Sequence, residues 1–178
     1  KASGVDDVSS FRWIEPPDSQ SLHRAEVLLR DLGAVDPRTG KITELGRRML
    51  SFPVHPRYSR MLLAAGEYGC VRTVSLIAAL TQGRNILLRK RGSDVKSDRE
   101  DFLGEEADSD FLVLMRAWSY ADRNGYDFGK CNRLGIHAQA ARQVRPLFDY
   151  FLNIAEREGL PRQEGSPPDD SVEKCILT

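Results

Sequence analysis

Chemistry at a protein site needs ionisable or metal-binding side chains at short range, and the three histidines here, His23, His55 and His137, are too scattered to share a metal. With no Cys or carboxylate at ligand spacing, each reads as a surface or capping residue. The pair Glu105-Glu106 reads as loop solvation rather than as a general acid and base, because no pocket accompanies it. Gly40-Lys41 is followed by Ile42 and lacks the earlier glycine that a phosphate-cradling loop requires. An Asp-Glu-Ala-His box, a GxSxG elbow and an HExxH helix are all missing. The sequence thus predicts no catalytic residue, no metal site and no cofactor bound by this chain.

Binding chemistry is better represented. Asn132, Gln139 and Arg142 fall on one polar arc of a predicted helix, with Gly135 permitting close approach, and such an arc can track a phosphate backbone. Arg133 and Arg145 sit nearer its apolar side and complete the candidate nucleic-acid-binding set. An ordinary wet helix face has the same composition, so spacing alone does not separate the two. The basic residues Arg84, Arg89, Lys90 and Arg91 are balanced by nearby acids and read as a solvated run. Trp118 shares a stripe with Phe111 and Leu114 and reads as core, whereas Tyr120 lies off that stripe.

The 178 residues suffice for one domain or two small ones, and with 26 basic against 26 acidic side chains any polyanion binding must come from a local patch. Cys70, Cys131 and Cys175 are odd in number and far apart, which argues against a disulfide framework or a zinc ribbon and fits a reducing, cytoplasmic setting. No apolar run has the length of a membrane span, and the amino terminus has no hydrophobic signal core.

The elements that would position these residues follow from caps and periodicity. Pro16-Pro17 and Asp18 start a helix whose apolar positions are Leu22, Ala25, Leu29 and Leu32, ended by Gly33. Ala34-Val35 and Lys41-Ile42-Thr43, joined by Asp36-Pro37-Arg38-Thr39-Gly40, predict a short β-hairpin, a small wing. Thr43 caps the next helix and Pro53 closes it. His55-Pro56 opens another with Tyr58, Leu62 and Ala65 inward, ended by Gly69. Residues 71–81 are apolar nearly all round and predict a helix buried in a bundle, stopped at Gly83.

Residues 84–110 read as a long solvated loop. Phe111, Leu114, Trp118 and Ala121 then mark an amphipathic helix capped by Asp108 or Ser109 and ended by Asn124-Gly125. A single long helix is predicted from Phe128 to Glu158 through Leu134, Ala141, Val144, Phe148 and Phe151, kinked at Pro146. Pro161 to Asp170 is a linker, and Ser171 to Thr178 reads as the start of a further element of a longer protein. The fold class is mainly α: a small winged-helix domain with a short β-hairpin over residues 1–54, a helical bundle over 55–160, then linker and truncated element over 161–178.

Several segments, in order, resemble the helicase-associated region of DEAH-box ATP-dependent helicases. Phe11-Arg12-Trp13-Ile14-Glu15-Pro16-Pro17 is similar to the approach to that region, and Ile42-Thr43-Glu44-Leu45-Gly46-Arg47-Arg48-Met49 to its Leu-Thr-x-Leu-Gly-Arg-x-Met signature. Phe52-Pro53-Val54-His55-Pro56, running through Arg57 to Met61-Leu62, resembles the Phe-Pro-Leu-x-Pro run that follows. Asp108-Ser109-Asp110-Phe111-Leu112-Val113-Leu114 is similar to the start of a bundle helix. The resemblance covers roughly residues 8 to 158.

It implies a degenerate winged helix followed by a bundle holding a ratchet helix that lines a single-strand channel, in a parent protein of bacterial type. ATP and Mg would belong to RecA-like motor domains elsewhere in that parent, and the partners implied are those motors and single-stranded nucleic acid, RNA in particular. Where the family carries consecutive basic residues on the ratchet helix this chain has Gln139-Ala140, with Ala141, Val144 and Arg145 fitting the pattern. The usual Trp-Cys and Asn-Phe are replaced by Phe128-Gly129 and Cys131-Asn132. The alternatives left open by the residues are a stand-alone winged-helix DNA-binding regulator and a purely protein-interaction bundle.

Overall fold

The structure is a computed structural model, and it describes residues 2–5, 7–88, 110–167 and 170–178. The expected loop over 84–110, its Arg89-Lys90-Arg91 run and the Asp108 or Ser109 cap lie wholly or largely outside the described residues. The chain divides into two compact units, one of Lys1–Val71 with Ile154–Thr178 and one of Arg72–Asn153. Both are helical, as the sequence predicts.

In the first unit, α1 (Ser19–Asp31) begins where Asp18 accepts hydrogen bonds from the Ser21 N–H at 2.9 Å and hydroxyl at 2.6 Å. These bonds hold the Asp18 carboxyl below its ordinary range. The predicted inward stripe of α1 is only half covered. No residue of α1 is fully buried, Ala25 is exposed, and Leu22 and Leu29 are half-buried. The chain then turns through Gly33 at φ 71°, and the Ala34 and Val35 N–H groups both bond back to the Leu29 carbonyl.

The expected β-hairpin is reduced to one antiparallel bridge between Val35 and Ile42. The reason is length. Asp36 uses its carboxylate to hold the Arg38 and Thr39 N–H groups of the turn, while on the far side Thr43 has already become a helix cap. Thr43 accepts from the Gly46 N–H at 3.0 Å and donates to the Gly33 carbonyl at 2.7 Å, so no residues remain for a longer ladder. That cap opens α2 (Glu44–Met49).

Helix α3 (Pro56–Tyr68) starts with Pro56 at its first position and His55 Nδ1 accepting from the Arg57 N–H, and Gly69 ends it at φ 68°. Met61 to Ala65 are all buried, and Leu62 and Ala65 are fully so, as their spacing predicts. The carboxy-terminal α8 (Ser171–Ile176) packs on α3, and Leu160 lies against the same helix at Gly66.

The second unit is built from α4 (Val71–Gln82), α5 (Asp110–Arg123), α6 (Phe128–Arg133) and α7 (Ala138–Arg157), the last turn of α7 falling in the first unit. Val74 to Leu80 of α4 are buried without a gap, the signature of a helix apolar all round. The single helix expected from Phe128 to Glu158 is in fact two. Gly135 adopts φ 66°, and Ile136 forms an antiparallel bridge to Leu87, with the His137 N–H donating to the Ile86 carbonyl at 2.7 Å. That pairing satisfies backbone groups the helix would otherwise use, and an apolar Ile at helical spacing concealed it. His137 Nδ1 then accepts from the Ala140 N–H to restart the helix, which runs on through Pro146.

Gly46 sits where another stretch of backbone comes close to it. A methyl group there would overlap the Ala34 carbonyl and crowd Ile42, all parts of the same turn, whereas at Gly66 it would meet only the mobile end of the Leu160 side chain. Gly46→Ala is expected to destabilise the chain by about 2 kcal/mol or more and Gly66→Ala by about 1 kcal/mol or less, checked by urea unfolding of each variant.

Candidate nucleic-acid interface

The candidate residues divide between two helices. Gln139, Arg142 and Arg145 lie exposed on α7, three residues apart, because Ala141, Val144 and Phe148 turn the opposite face into the core. Asn132 and Arg133 are exposed on α6, so the arc read from sequence as one helix face is interrupted at Gly135 and Ile136. Both residues make further contacts of their own.

The core beneath α7 is fixed by Trp118, whose indole N–H donates to the Ala141 carbonyl at 3.0 Å and whose ring meets Phe148 edge-on at 5.5 Å. Trp118 is therefore core, as its stripe predicts. Arg72 lies over the Phe148 ring at 5.2 Å.

Arg142 and Arg145 stand in different electrostatic settings. Arg145 donates through Nη1 to both oxygens of Asp122, at 3.0 and 3.1 Å, and through Nε to Asp149 at 3.1 Å. Those carboxylates, Asp149 first, raise its already high pKa and neutralise its charge. Arg142 sits over the Tyr126 ring at 5.5 Å and reaches the Gly125 carbonyl at 3.4 Å. Among the described residues it has no carboxylate partner, so its charge faces solvent.

Sequence alone does not mark Tyr126 or Asp122 as site residues. Tyr126 follows Gly125 with both in the left-handed region, φ 58° and 61°, where the chain reverses between α5 and α6. Its hydroxyl donates to Asp122 at 2.6 Å. Burial first, and then this bond to Asp122, push the phenol above its ordinary pKa of 10.0, so it stays protonated and donating. The detectable signal was the Asn124-Gly125-Tyr126 turn signature, but nothing local tells which carboxylate a tyrosine will find.

On one flank Lys130 reaches Asn124 at 3.0 Å, and Asp127 caps α6. The face of α5 made by Leu112, Met115, Arg116, Ser119, Tyr120 and Arg123 borders an open cavity of about 670 Å³. No cluster of three or more potential metal ligands occurs among the described residues. Nor is any helix among them long and apolar enough to cross a membrane.

Two adjoining family patterns match this chain: "Helicase associated domain (HA2), winged-helix" over residues 25–54 and "Helicase associated domain (HA2), ratchet-like" over residues 55–125. The chain belongs to the helicase-associated (HA2) family. It is similar to "Probable ATP-dependent RNA helicase DHX35" of Homo sapiens, 26% identical over all of this chain and 25% of that protein, and to the protein of the same description from Pongo abelii, 25% identical over the same shares. This HA2 region thus spans about a quarter of the length of these curated relatives. Both are mammalian, so the bacterial type rests on the sequence resemblance alone. The ratchet-like match ends at Gly125, one residue before Tyr126, so α7 and its arginines lie beyond it.

Because the phenol pKa is higher in the folded chain than in the unfolded one, the native state holds the proton more tightly. Its contribution is complete below pH 10 and is lost as the pH rises further, above the ordinary value of 10.0. Tyr126→Phe is expected to lower stability by about 1 kcal/mol at pH 7 and to flatten this alkaline loss, both read from unfolding midpoints across pH.

Proposed function

We propose that this HA2 region is the non-catalytic accessory part of a DEAH-box ATP-dependent RNA helicase. It packs on the RecA-like motor domains of the same parent chain and contributes the α7 face to a channel for a single strand. ATP and Mg bind to the motors, and the parent, not this region, hydrolyses the nucleotide.

The observation that carries the reading is the Arg142 guanidinium, held in place by a neutral ring and a carbonyl while its charge stays unpaired by any described carboxylate. A cation so placed is ordered before the ligand arrives and loses little freedom on meeting a phosphate. Gln139, three residues earlier on the same exposed face, supplies neutral hydrogen bonding to sugar or base, and Asn132 and Arg133 on α6 extend the set. Arg145 is a reserve charge, released when a phosphate displaces Asp122.

Packing on the motors is supported by the first unit. Val27 of α1 is exposed, as are Phe11, Trp13 and Ile14 before it, and Ile14 is fully exposed among the described residues. Duplex reading by α1 has less to work with, since Arg30 is paired with Glu26 at 3.5 Å.

Fluorescence anisotropy with single-stranded RNA, single-stranded DNA and duplex DNA over a salt series tests the proposal. Single strands are expected to bind in preference to duplex. Arg142→Ala should weaken binding about five- to tenfold and lower the log–log salt slope by about 0.7, while Asp122→Asn should tighten binding about two- to threefold. Duplex preference would point to a regulator, and no binding by any strand would leave a protein-interaction bundle.

A further inference from the structure

Cys70 and Cys175 are 105 residues apart in sequence, and their Sγ atoms meet at 3.3 Å inside the first unit. Both are wholly buried. Cys70 ends the segment that follows α3, and Cys175 lies on α8, the helix packed against it. The Cys70 thiol also points to the Ser171 carbonyl at 3.7 Å, so its sulfur is oriented by the first turn of α8. A disulfide needs the two sulfurs at about 2.05 Å, a small inward step from this separation.

The partner helix is short and weakly capped, although it is packed on α3 in this structure. It has six residues, too few to hold its shape without packing, and its N-cap Asp170 adopts φ 60° with no side-chain cap bond. Leu177, immediately after it, is exposed. Local opening of such an element is the low-cost motion of a domain, and it brings Cys175 into water.

We propose that Cys70 and Cys175 form a dithiol modification site, oxidised by a hydroperoxide to a disulfide that locks α8 onto α3. In the closed state burial raises both thiols, Cys175 to about 12, so the resting pair is inert and reaction starts from the open form. There the Cys175 thiolate attacks a peroxide oxygen. The S–O bond forms as the O–O bond breaks, and the leaving oxyanion, hydroxide in the case of hydrogen peroxide, picks up the proton the thiol released to solvent on ionising and departs as water. Re-closure presents the resulting sulfenic acid to Cys70, whose sulfur displaces its oxygen; the S–S bond forms, the S–O bond breaks, and the oxygen leaves as a second water with the Cys70 proton. Two thiols lose two electrons and one hydroperoxide is reduced; with hydrogen peroxide the products are the disulfide and two waters.

The test treats the full chain with hydrogen peroxide, alkylates the remaining thiols and maps unreduced peptides by mass spectrometry. The expected product is lighter by about 2 Da, carries a Cys70–Cys175 link within one molecule, leaves Cys131 open to alkylation after unfolding, and is reversed by dithiothreitol. Closing so long a loop should raise the melting temperature by about 5 °C or more. Cys70→Ser, checked for folding by circular dichroism, should stop at a Cys175 sulfenic acid that a dimedone probe traps. Separate sulfinic acids on the two cysteines, links between molecules only, or a Cys70–Cys175 link that forms only in urea would overturn the proposal.

Discussion

The indole N–H of Trp118 finds its acceptor, the Ala141 carbonyl, inside the second unit, and this bond fixes how α7 is rotated. A buried indole donor left alone would cost about 1 to 3 kcal/mol, so α7 cannot turn freely about its axis without losing it. With Ala141, Val144 and Phe148 inward, Gln139, Arg142 and Arg145 must face out. The Trp118–Phe148 edge contact adds a second constraint of the same sense. Which side chains α7 presents outward follows from a packing decision made on its other side.

From that rotation comes the division of labour between the two arginines. Arg145 meets Asp122, which α5 carries one turn beyond Trp118, and is neutralised. The same carboxylate accepts from Tyr126, and the Tyr126 ring supports Arg142. One aspartate thus quenches one cation and, through a tyrosine, positions another. The strained turn that puts Tyr126 there is the connection between α5 and α6, and its cost is repaid by the hydroxyl bond and the ring contact.

Much of this was legible in the sequence where the signal is local. Asp18 after Pro16-Pro17, Thr43, and His55-Pro56 each place a helix start, and Leu76 to Leu80, apolar without a break, announce a buried helix. What escaped depends on partners distant in sequence. Ile136 pairs with Leu87 across 49 positions and splits a helix that periodicity alone would continue. Arg145 finds Asp122 across 23 residues, and Cys70 finds Cys175 across 105, which is why three cysteines without a motif gave no hint of a pair. The half-covered face of α1 has the same origin, since periodicity shows which side is apolar and not what covers it.

In the proposed function a single strand lies along the outward face of α7, with Arg142 as the ordered cation. The most direct measurement is an NMR titration of the labelled chain with a short single-stranded RNA, following arginine Nε–Hε and backbone amide signals. The Arg142 side-chain signal and the Gln139 to Arg145 amides are expected to move together with the Tyr126 turn, while α1 is unaffected. Shifts confined to α1 and the Val35–Ile42 turn, with α7 silent, would contradict it.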